Sequence, residues 1–435
     1  MIKEKSKNRE APIIKEDMPD PSDEKELQPP RQRNFFVFKS LQYRDYRWLW
    51  LGTFAAFMAI SMQMVNRGWL VLRLTNDSPF ALSIVMMSFA FPMIFVPLLG
   101  GALADRLSRK QIIILTQSGN VVLTLLLATL DLTDLIRFWH LIVIGFLNGT
   151  MASFNMPSRQ SIISDIVPAK DLMNAVSLNS SGMNMTRIVG PALAGVLIIF
   201  IDTAGVFYLI AFTYAVSVFF MTLIREDKKT AEKSGKGVSA DILEGLKYAR
   251  RNSTLLGLLI LMFLPSLFGF PYIALLPAWA REVLNAQSDG LGLLMMSMGV
   301  GSLVGTLLLA SLNNLRRRGI FLLATGFVWG LSMAVSSQCL SYATALCSVF
   351  FLGFLSSFFM ALNMSLLQIY SSVEMRGRIN SMAMMAFGIM PLSVIPFGAV
   401  AERMGTDVSL MIAGIILSLF TLAFFIAYPK FRKVE

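Results

Sequence analysis

Apolar and polar positions alternate along this chain on a long period, with apolar runs of about twenty residues separated by short polar segments. A run of that length crosses a bilayer core as one α-helix, whereas a membrane β-barrel shows shorter segments of alternating polarity. The pattern therefore predicts an all-α polytopic membrane protein with twelve transmembrane helices. We place these spans at residues 48–74, 80–104, 111–131, 138–157, 172–201, 205–224, 254–280, 290–312, 319–338, 342–366, 379–401 and 407–428.

The spans divide into two groups of six, and part of the first group recurs in the second. Residues 155–160 carry Asn, Met and Gln at the positions where residues 363–368 carry the same three. Asn174 and Asn380 then open a helix that contains Gly and Pro. Chance similarity of two apolar helices is the alternative, but the repeat favours two pseudo-symmetric six-helix bundles. We assign residues 1–47 to a disordered cytoplasmic tail, 48–224 to the N-terminal bundle, 225–252 to a cytoplasmic linker, 253–428 to the C-terminal bundle and 429–435 to a second cytoplasmic tail.

The linker contains a pattern typical of a short amphipathic helix. Ser239 is placed to cap it, and Ile242, Leu243 and Leu246 fall on one face. We expect this helix to lie along the membrane surface. A solvated linker with partial helix is the alternative.

Composition and charge support a membrane protein and argue against a nucleic-acid partner. Hydrophobic residues make up 55% of the chain and charged residues 15%, where a soluble protein carries roughly a quarter. The formal net charge is +11, but all but six of the 38 Lys and Arg residues fall in the tails, the linker and the even-numbered loops. This positive-inside pattern predicts a bacterial inner-membrane protein with both termini in the cytoplasm and its basic surface facing anionic lipid. The six exceptions are Arg67, Arg73, Arg137, Arg187, Arg281 and Arg403.

No motif in the sequence supports an enzyme. The chain has no phosphate-binding Gly-Lys-Ser/Thr loop, no cluster with metal-ligand spacing and no hydrolytic triad, and it holds only two Cys and one His. We therefore predict no catalytic residues, no metal and no cofactor. We expect a monomer driven by the proton gradient, although no Asp or Glu lies deep in a predicted span to carry the proton.

The polar segment between spans 2 and 3 is a candidate latch. Gly101 is followed by Asp105, Arg106, Arg109 and Lys110. Asp105 can accept N–H groups at a neighbouring helix start, while the basic residues can pair with carboxylates or lipid phosphates. We predict that Asp105, Arg106 and Arg109 make contacts that form and break as the two bundles rock. A simple positive-inside anchor is the alternative.

Span 5 combines a candidate bend with a charge near the bilayer centre. Pro191 removes one helix hydrogen bond, and Gly190 with Ala194 allows tight packing, so we predict a bend or a packing kink there. Arg187 has no acidic residue at comparable depth. It either rests on Asn184 and backbone carbonyls or meets an anionic part of a substrate, and we favour the second reading.

Further polar side chains fall inside the predicted spans. In span 1, Gln63, Asn66 and Arg67 share one side of the helix, where they either line a cavity or anchor it at the interface. The candidate substrate-binding residues are Gln63, Asn66, Arg67, Asn148, Asn155, Asn184, Arg187 and Tyr272.

Several segments resemble the major facilitator superfamily, in particular its enterobactin-exporter-like branch. The loop at Gly101 is similar to the superfamily motif Gly-x-x-x-Asp-Arg-x-Gly-Arg-Lys, with Ser108 in place of the second Gly. Residues 187–195 resemble the Gly-Pro-x-x-Gly-Gly motif of antiporter-type facilitators, with Ala194 in place of one Gly. The resemblance covers about residues 40 to 425 and includes residues 67–71, 74–79, 157–168, 174–179, 244–251 and 376–378.

The resemblance implies the major facilitator fold, a central cavity between two rocking bundles, and export of siderophores or lipophilic compounds. We therefore predict a secondary active transporter, of the efflux antiporter type, that moves a small amphipathic or anionic compound (a siderophore, drug or metabolite) out across the inner membrane. Three alternatives stay open: an importer of the same fold, a lipid or lysolipid flippase, and a non-transporting scaffold or sensor.

Overall fold

The described residues form helices and no strand. The structure is a computed structural model that describes residues 38–99, 107–225, 246–250, 252–312, 317–372 and 375–433. Its α-helices are α1 Arg44–Leu74, α2 Pro79–Leu99, α3 Arg109–Leu132, α4 Phe138–Ile166, α5 Leu172–Thr222, α6 Ser253–Phe268, α7 Pro271–Glu282, α8 Ser288–Ser311, α9 Arg318–Ser336, α10 Tyr342–Tyr370, α11 Arg376–Met404 and α12 Thr406–Ala427. Eight helical segments in these ranges are long and apolar enough to cross a membrane.

Helix α5 contains the predicted spans 5 and 6 in one continuous element of 51 residues. The chain reverses inside it at Asp202, whose backbone has φ 54° and ψ 177°. Hydrogen bonds to α1 show the reversal. Along α1, the residue numbers of the partners on α5 first increase and then decrease. They join, in order along α1, Tyr46 to Ala175, Trp50 to Leu178, Gly52 to Ser217, Gln63 to Tyr214 and Asn66 to Thr203. The two parts of α5 therefore run antiparallel, with α1 beside both.

The predicted bend at Pro191 is not where the helix breaks. Within α5, all of which is described, the residue with non-helical dihedrals is Asp202, and Pro191 stays inside regular helix. Gly190 packs against Ser61 of α1. Gly195 faces the backbone of α8 so closely that a Cβ there would overlap it. This segment serves close helix packing.

Predicted span 7 is divided into α6 and α7. Pro265 accepts the backbone N–H groups of Gly269 (2.7 Å) and Phe270 (3.0 Å), which ends α6. Pro271 then occupies the first turn of α7, where its missing N–H costs nothing. The repeated prolines thus produce a broken helix.

Helix α4 extends well beyond the predicted end of span 4. Pro157 lies inside it, and the helix continues to Ile166. Arg159, which we placed in a cytoplasmic loop, is 5% exposed and lies in the interior of the N-terminal bundle. The prediction that Arg159 lies in a loop is therefore wrong, because the helix continues through Pro157.

The two bundles meet mainly along α2 against α11 and α5 against α8. Small residues permit these contacts. A Cβ at Gly292 on α8 would lie 2.8 Å from the Pro191 carbonyl oxygen, and one at Gly398 on α11 would overlap Ser83 of α2. Both seams are therefore formed by close, non-covalent packing of helices.

Ordered structure begins before the predicted first span. Lys39–Gln42 forms a short 3-10 helix, and α1 starts at Arg44. Lys39 forms an ion pair of 2.8 Å with Asp171, and the Tyr43 hydroxyl donates to the same carboxylate at 2.7 Å. These donors, led by Lys39, lower the pKa of Asp171, and the carboxylate raises the pKa of Tyr43. The segment is thereby fastened to the start of α5.

Only part of the predicted linker helix lies within the described residues. Residues 246–250 are helical, and Leu246 packs against the main core. The Tyr248 hydroxyl accepts the backbone N–H of Ser372 at 3.2 Å. Ser239, Ile242 and Leu243 lie outside the described residues.

Candidate functional site: a cavity between the bundles

A cavity with two lobes lies between the N-terminal and C-terminal bundles. The first lobe has a volume of about 320 Å³ and the second about 430 Å³. Both lobes are lined by Met64, Ile273 and Met390, so they adjoin along an apolar wall. Volumes of this order suit small organic ligands.

The first lobe collects polar side chains from α1, α3 and α4. Arg67 is 6% exposed and donates to the Asn148 amide oxygen at 2.5 Å. Asn148 in turn donates to Asn120 at 2.9 Å. The structure thus places Gln63, Arg67, Asn148 and Asn155 on one wall, four of the residues that the sequence singled out.

Arg159 lines the same lobe, and sequence reasoning missed it as a site residue. Its guanidinium donates to Asn155 at 2.7 Å, to the Thr53 hydroxyl at 2.9 Å and to the Ser217 hydroxyl at 3.2 Å. All three acceptors are neutral, so they accept hydrogen bonds from Arg159 without balancing its positive charge. The signal available in the sequence was the four-residue spacing of Asn155 and Arg159, which puts both on one helix face.

Two donors in this lobe have no hydrogen-bond partner in the described part of the chain. They are Nε2 of Gln63 and Nε of Arg67, and both side chains are 6% exposed. An unpaired buried donor costs about 1–3 kcal/mol, and the cost rises when the group is charged. One acceptor in this lobe, Oε1 of Gln117, also lacks a described partner. The amide nitrogen of the same side chain donates to Asn155 at 3.5 Å. A ligand acceptor that reached these donors would offset this cost.

The second lobe holds the remaining sequence candidates. Asn184 and Arg187 on α5 and Tyr272 on α7 line it, together with methionines of α8 and α10. Arg187 is exposed within the cavity, and no ion pair joins it to another described residue. Tyr272 is 2% exposed and packs in the core behind the lobe.

Neither lobe offers a carboxylate among its described lining residues, although three arginines line them. The buried acid Asp131 lies elsewhere, at the end of α3. It pairs with Arg73 and accepts the Thr203 hydroxyl at 2.5 Å. The potential of the cavity is therefore positive, and burial strengthens it because the surroundings have a low dielectric constant.

Asn66 and the latch residues take other positions. Asn66 is fully buried away from the cavity and donates to the Thr203 carbonyl at 2.9 Å, which ties α1 to α5. Asp105 and Arg106 lie outside the described residues. Arg109 forms an ion pair of 2.6 Å with Asp165, within the N-terminal bundle rather than across the two bundles.

One end of the cavity is closed by contacts between the bundles. Arg281 of α7 pairs with Asp77 at 2.7 Å and lies over the Trp69 ring at 5.1 Å. Glu402 of α11 accepts the Ser78 hydroxyl at 2.8 Å and the Phe80 N–H at 3.2 Å, at the first turn of α2. All of these residues sit beside the loops that connect odd-numbered spans to the next span.

Comparison with known proteins agrees with this architecture. A family model described as transmembrane secretion effector matches residues 37–435. The chain is 23% identical over 393 residues to the staphyloferrin A transporter of Staphylococcus aureus (strain NCTC 8325 / PS 47), covering 89% of this chain and 98% of that protein. It is 23% identical over 380 residues to the multidrug efflux pump Tap of Mycolicibacterium fortuitum, covering 84% and 91%. The solved structure of the nucleoside transporter NupG has a TM-score of 0.68 at 14% identity, over 90% of this chain and 100% of that one, which shows a shared fold.

Proposed function

Because the chain belongs to the transmembrane secretion effector family of the major facilitators, and is therefore a membrane transporter and not an enzyme, we propose that it exports a small amphipathic or anionic compound by alternating access. The family predicted from the sequence motifs is confirmed by the model that matches residues 37–435. In the proposed topology twelve spans form two bundles, which enclose one site that faces each side of the membrane in turn.

The observation that carries this proposal is a ligand-sized cavity between bundles that touch through separable contacts. The ion pair Asp77–Arg281 and the Glu402 contacts close one end. The positive-inside distribution of Lys and Arg assigns that end to the outer face of a bacterial inner membrane, with both termini in the cytoplasm. The conformation is then the one that loads substrate from the cytoplasm.

Rocking to the outward-facing state requires those contacts to break. Partly exposed ion pairs contribute about 0.2–1 kcal/mol each, so a few of them hold the end closed without trapping it. The seams at Gly195 with α8 and Gly398 with α2 come apart in the same movement. We propose the proton gradient as the driving force and a monomer as the working unit.

The lining supports a substrate with both apolar and acidic parts. Methionine side chains are polarizable and adapt to varied apolar shapes, and Met64, Met390 and Met298 line the lobes. Arg67 and Arg187 supply positive charge. The named relatives, a staphyloferrin A transporter and a multidrug efflux pump, fit that range of chemistry.

The test combines a deletion strain with a variant locked at the closed end. Secreted metabolites and drug susceptibility are compared between the deletion strain and the same strain carrying the wild-type gene. In the locked variant Cys339 and Cys347 become Ser, and Ser78→Cys with Glu402→Cys is joined by a short thiol cross-linker, since their side chains touch at 2.8 Å. We expect export to be lost on cross-linking and retained in either single-cysteine control.

Direction is measured in vesicles of both orientations. An exporter accumulates its substrate in inverted vesicles, and an importer accumulates it in right-side-out vesicles. Movement of labelled lipid between leaflets of liposomes would instead support a flippase. A locked variant with unchanged export would contradict alternating access, whereas a deletion strain with unchanged secretion and drug susceptibility would support the non-transporting scaffold.

A further inference from the structure

The two unpartnered donors of the first lobe stand one helical turn apart. Gln63 and Arg67 are four residues apart on α1, so their side chains share one face. Both line the cavity, both are more than nine-tenths buried, and Nε2 of Gln63 and Nε of Arg67 lack acceptors. The Gln63 carbonyl is already used, since it accepts the Tyr214 hydroxyl at 3.0 Å. The two unpartnered hydrogen-bonding groups of this pair are therefore both N–H donors.

Such a pair selects an acceptor that also carries negative charge. Among the described residues, the Arg67 guanidinium donates to the neutral Asn148 amide, so a neutral ligand would leave its charge unbalanced. A carboxylate is acceptor-only and has two oxygens, which matches two neighbouring donors. The donors are fixed in place by Asn148 and Tyr214, so a ligand does not have to order them.

The second lobe repeats the charge without the same geometry. Arg187 lines it and is not paired with any described acid, while the wall between the lobes consists of Met64, Ile273 and Met390. The cavity thus presents a cation, an apolar stretch and a second cation.

We propose that the transported compound is a small organic dianion, with one carboxylate-type group held by Gln63 and Arg67, a second acidic group at Arg187 and an apolar body between them. This proposal rests on the proposed function, because it names the substrate class of the same cavity. It also separates Arg159, each of whose three guanidinium nitrogens already donates to a protein oxygen, from the residues that bind the compound.

The test uses three probes of one shape: biphenyl dicarboxylate, its monomethyl ester and its dimethyl ester. Binding to the purified full-length chain is measured by calorimetry. We expect each added carboxylate to tighten binding by about tenfold, the effect of one hydrogen-bonded charge. In Arg67→Gln the diacid should bind only as well as the monoester, and Gln63→Leu should lose part of the same preference. Lys247→Gln, which removes an exposed charge outside the cavity, is the matched control.

The dimethyl ester reports on folding, because it needs neither arginine. If Arg67→Gln keeps diester affinity and loses the diacid preference, and Arg187→Gln in addition removes the remaining preference, the proposal holds. An unchanged preference in Arg67→Gln, or equal affinity of the three probes, would overturn it.

Competition by excess acetate or phosphate distinguishes the source of the anion. If either free ion occupies the Gln63–Arg67 pair while the diacid binds no better than the monoester, the pair holds a free anion and the dianion proposal is wrong. These measurements need no transport, so failure of export and failure of this proposal are separate results.

Discussion

The two halves of the molecule share a helical plan but differ in what they bury. In the N-terminal half, Asn155 and Arg159 of α4 form a hydrogen-bonded pair facing the cavity. At the same places in the repeat, α10 carries Asn363 and Leu367, and Asn363 donates to the Leu258 carbonyl at 3.2 Å. The same asparagine orients an arginine in one half and fastens two helices in the other.

The first helices of the two halves show the same contrast. Arg67 of α1 and Ile273 of α7 both line the cavity. The N-terminal half therefore supplies charge and hydrogen-bond donors, while the C-terminal half supplies much of the apolar wall. Two halves with similar helices can therefore form an asymmetric site, because helix packing depends on shape whereas recognition depends on a few side chains.

Placing an arginine in the apolar C-terminal half should have the largest effect. Leu367→Arg places a guanidinium at a site that is 1% exposed in the main hydrophobic core, at the repeat position of Arg159. We expect a loss of at least about 3 kcal/mol in the free energy of unfolding, because the guanidinium would be buried in an apolar cluster. Thermal unfolding in detergent measures the loss. Leu367→Met, which keeps volume and polarity, should cost less than about 1.5 kcal/mol.

The two asparagines of the repeat offer a matched pair. Asn155→Leu removes the amide that accepts from the charged Arg159 and donates to the Thr116 hydroxyl. We expect this change to lower the free energy of unfolding by about 1.5–3 kcal/mol. Asn363→Leu removes one neutral hydrogen bond and should cost about 0.5–1.5 kcal/mol. Unfolding midpoints of the two variants are compared directly. Equal costs would mean that the buried charge does not depend on its neutral partner.

The contacts that close the cavity join the halves and should have a smaller effect. Asp77→Asn removes the partner of Arg281, and both side chains are partly exposed, so we expect the closed state to weaken by about 0.2–1 kcal/mol, up to about fivefold. The rate at which a membrane-impermeant maleimide labels Ser83→Cys, buried at this end, reports the change. Asp134→Asn, on an exposed loop of one bundle, is the control. No increase in labelling would remove Asp77 from the gate.

The smallest expected effect concerns the fastening at Asp171. Hydrogen bonds from Lys39 and Tyr43, with Lys170 nearby, lower the pKa of Asp171 in the folded state. The stabilisation is therefore complete above the ordinary Asp pKa of about 3.9 and is lost as pH falls through the lowered value. The thermal unfolding midpoint in detergent, followed as the pH falls, measures this step, and Asp171→Asn should abolish it. A step of equal size in Asp171→Asn would assign it to another group.

Apolar length predicted most of the helices well, but it missed the continuation of α4 beyond residue 157. Span positions agree with the helices to within a few residues for most of the chain, because apolar length is a property of the sequence alone. Span 4 was predicted to end at residue 157, yet α4 continues through Pro157 to Ile166, and Pro191 likewise lies inside α5. Tertiary packing supports the helix on either side of each proline.

The candidate site divides in the same way. Gln63, Arg67, Asn148 and Asn155 were recognised as polar residues inside apolar spans, and the structure places them along one lobe. Asn66 met the same criterion but bonds to a backbone carbonyl of α5. Which polar side chain faces a cavity and which fastens a neighbouring helix depends on helix rotation, and one helix cannot encode its rotation without its partners.

The sequence alone shows that this protein spans a membrane and that its apolar spans carry arginines without matching acids, and it predicts two repeated halves. Those properties follow from hydrophobic length and residue type, which are local. The tertiary structure alone decided that Arg159 is buried, that Arg67 and Gln63 keep free donors, and that Asp77 meets Arg281 across the bundles. Each of these depends on contacts between residues far apart in the chain, and only the folded arrangement of helices brings them together.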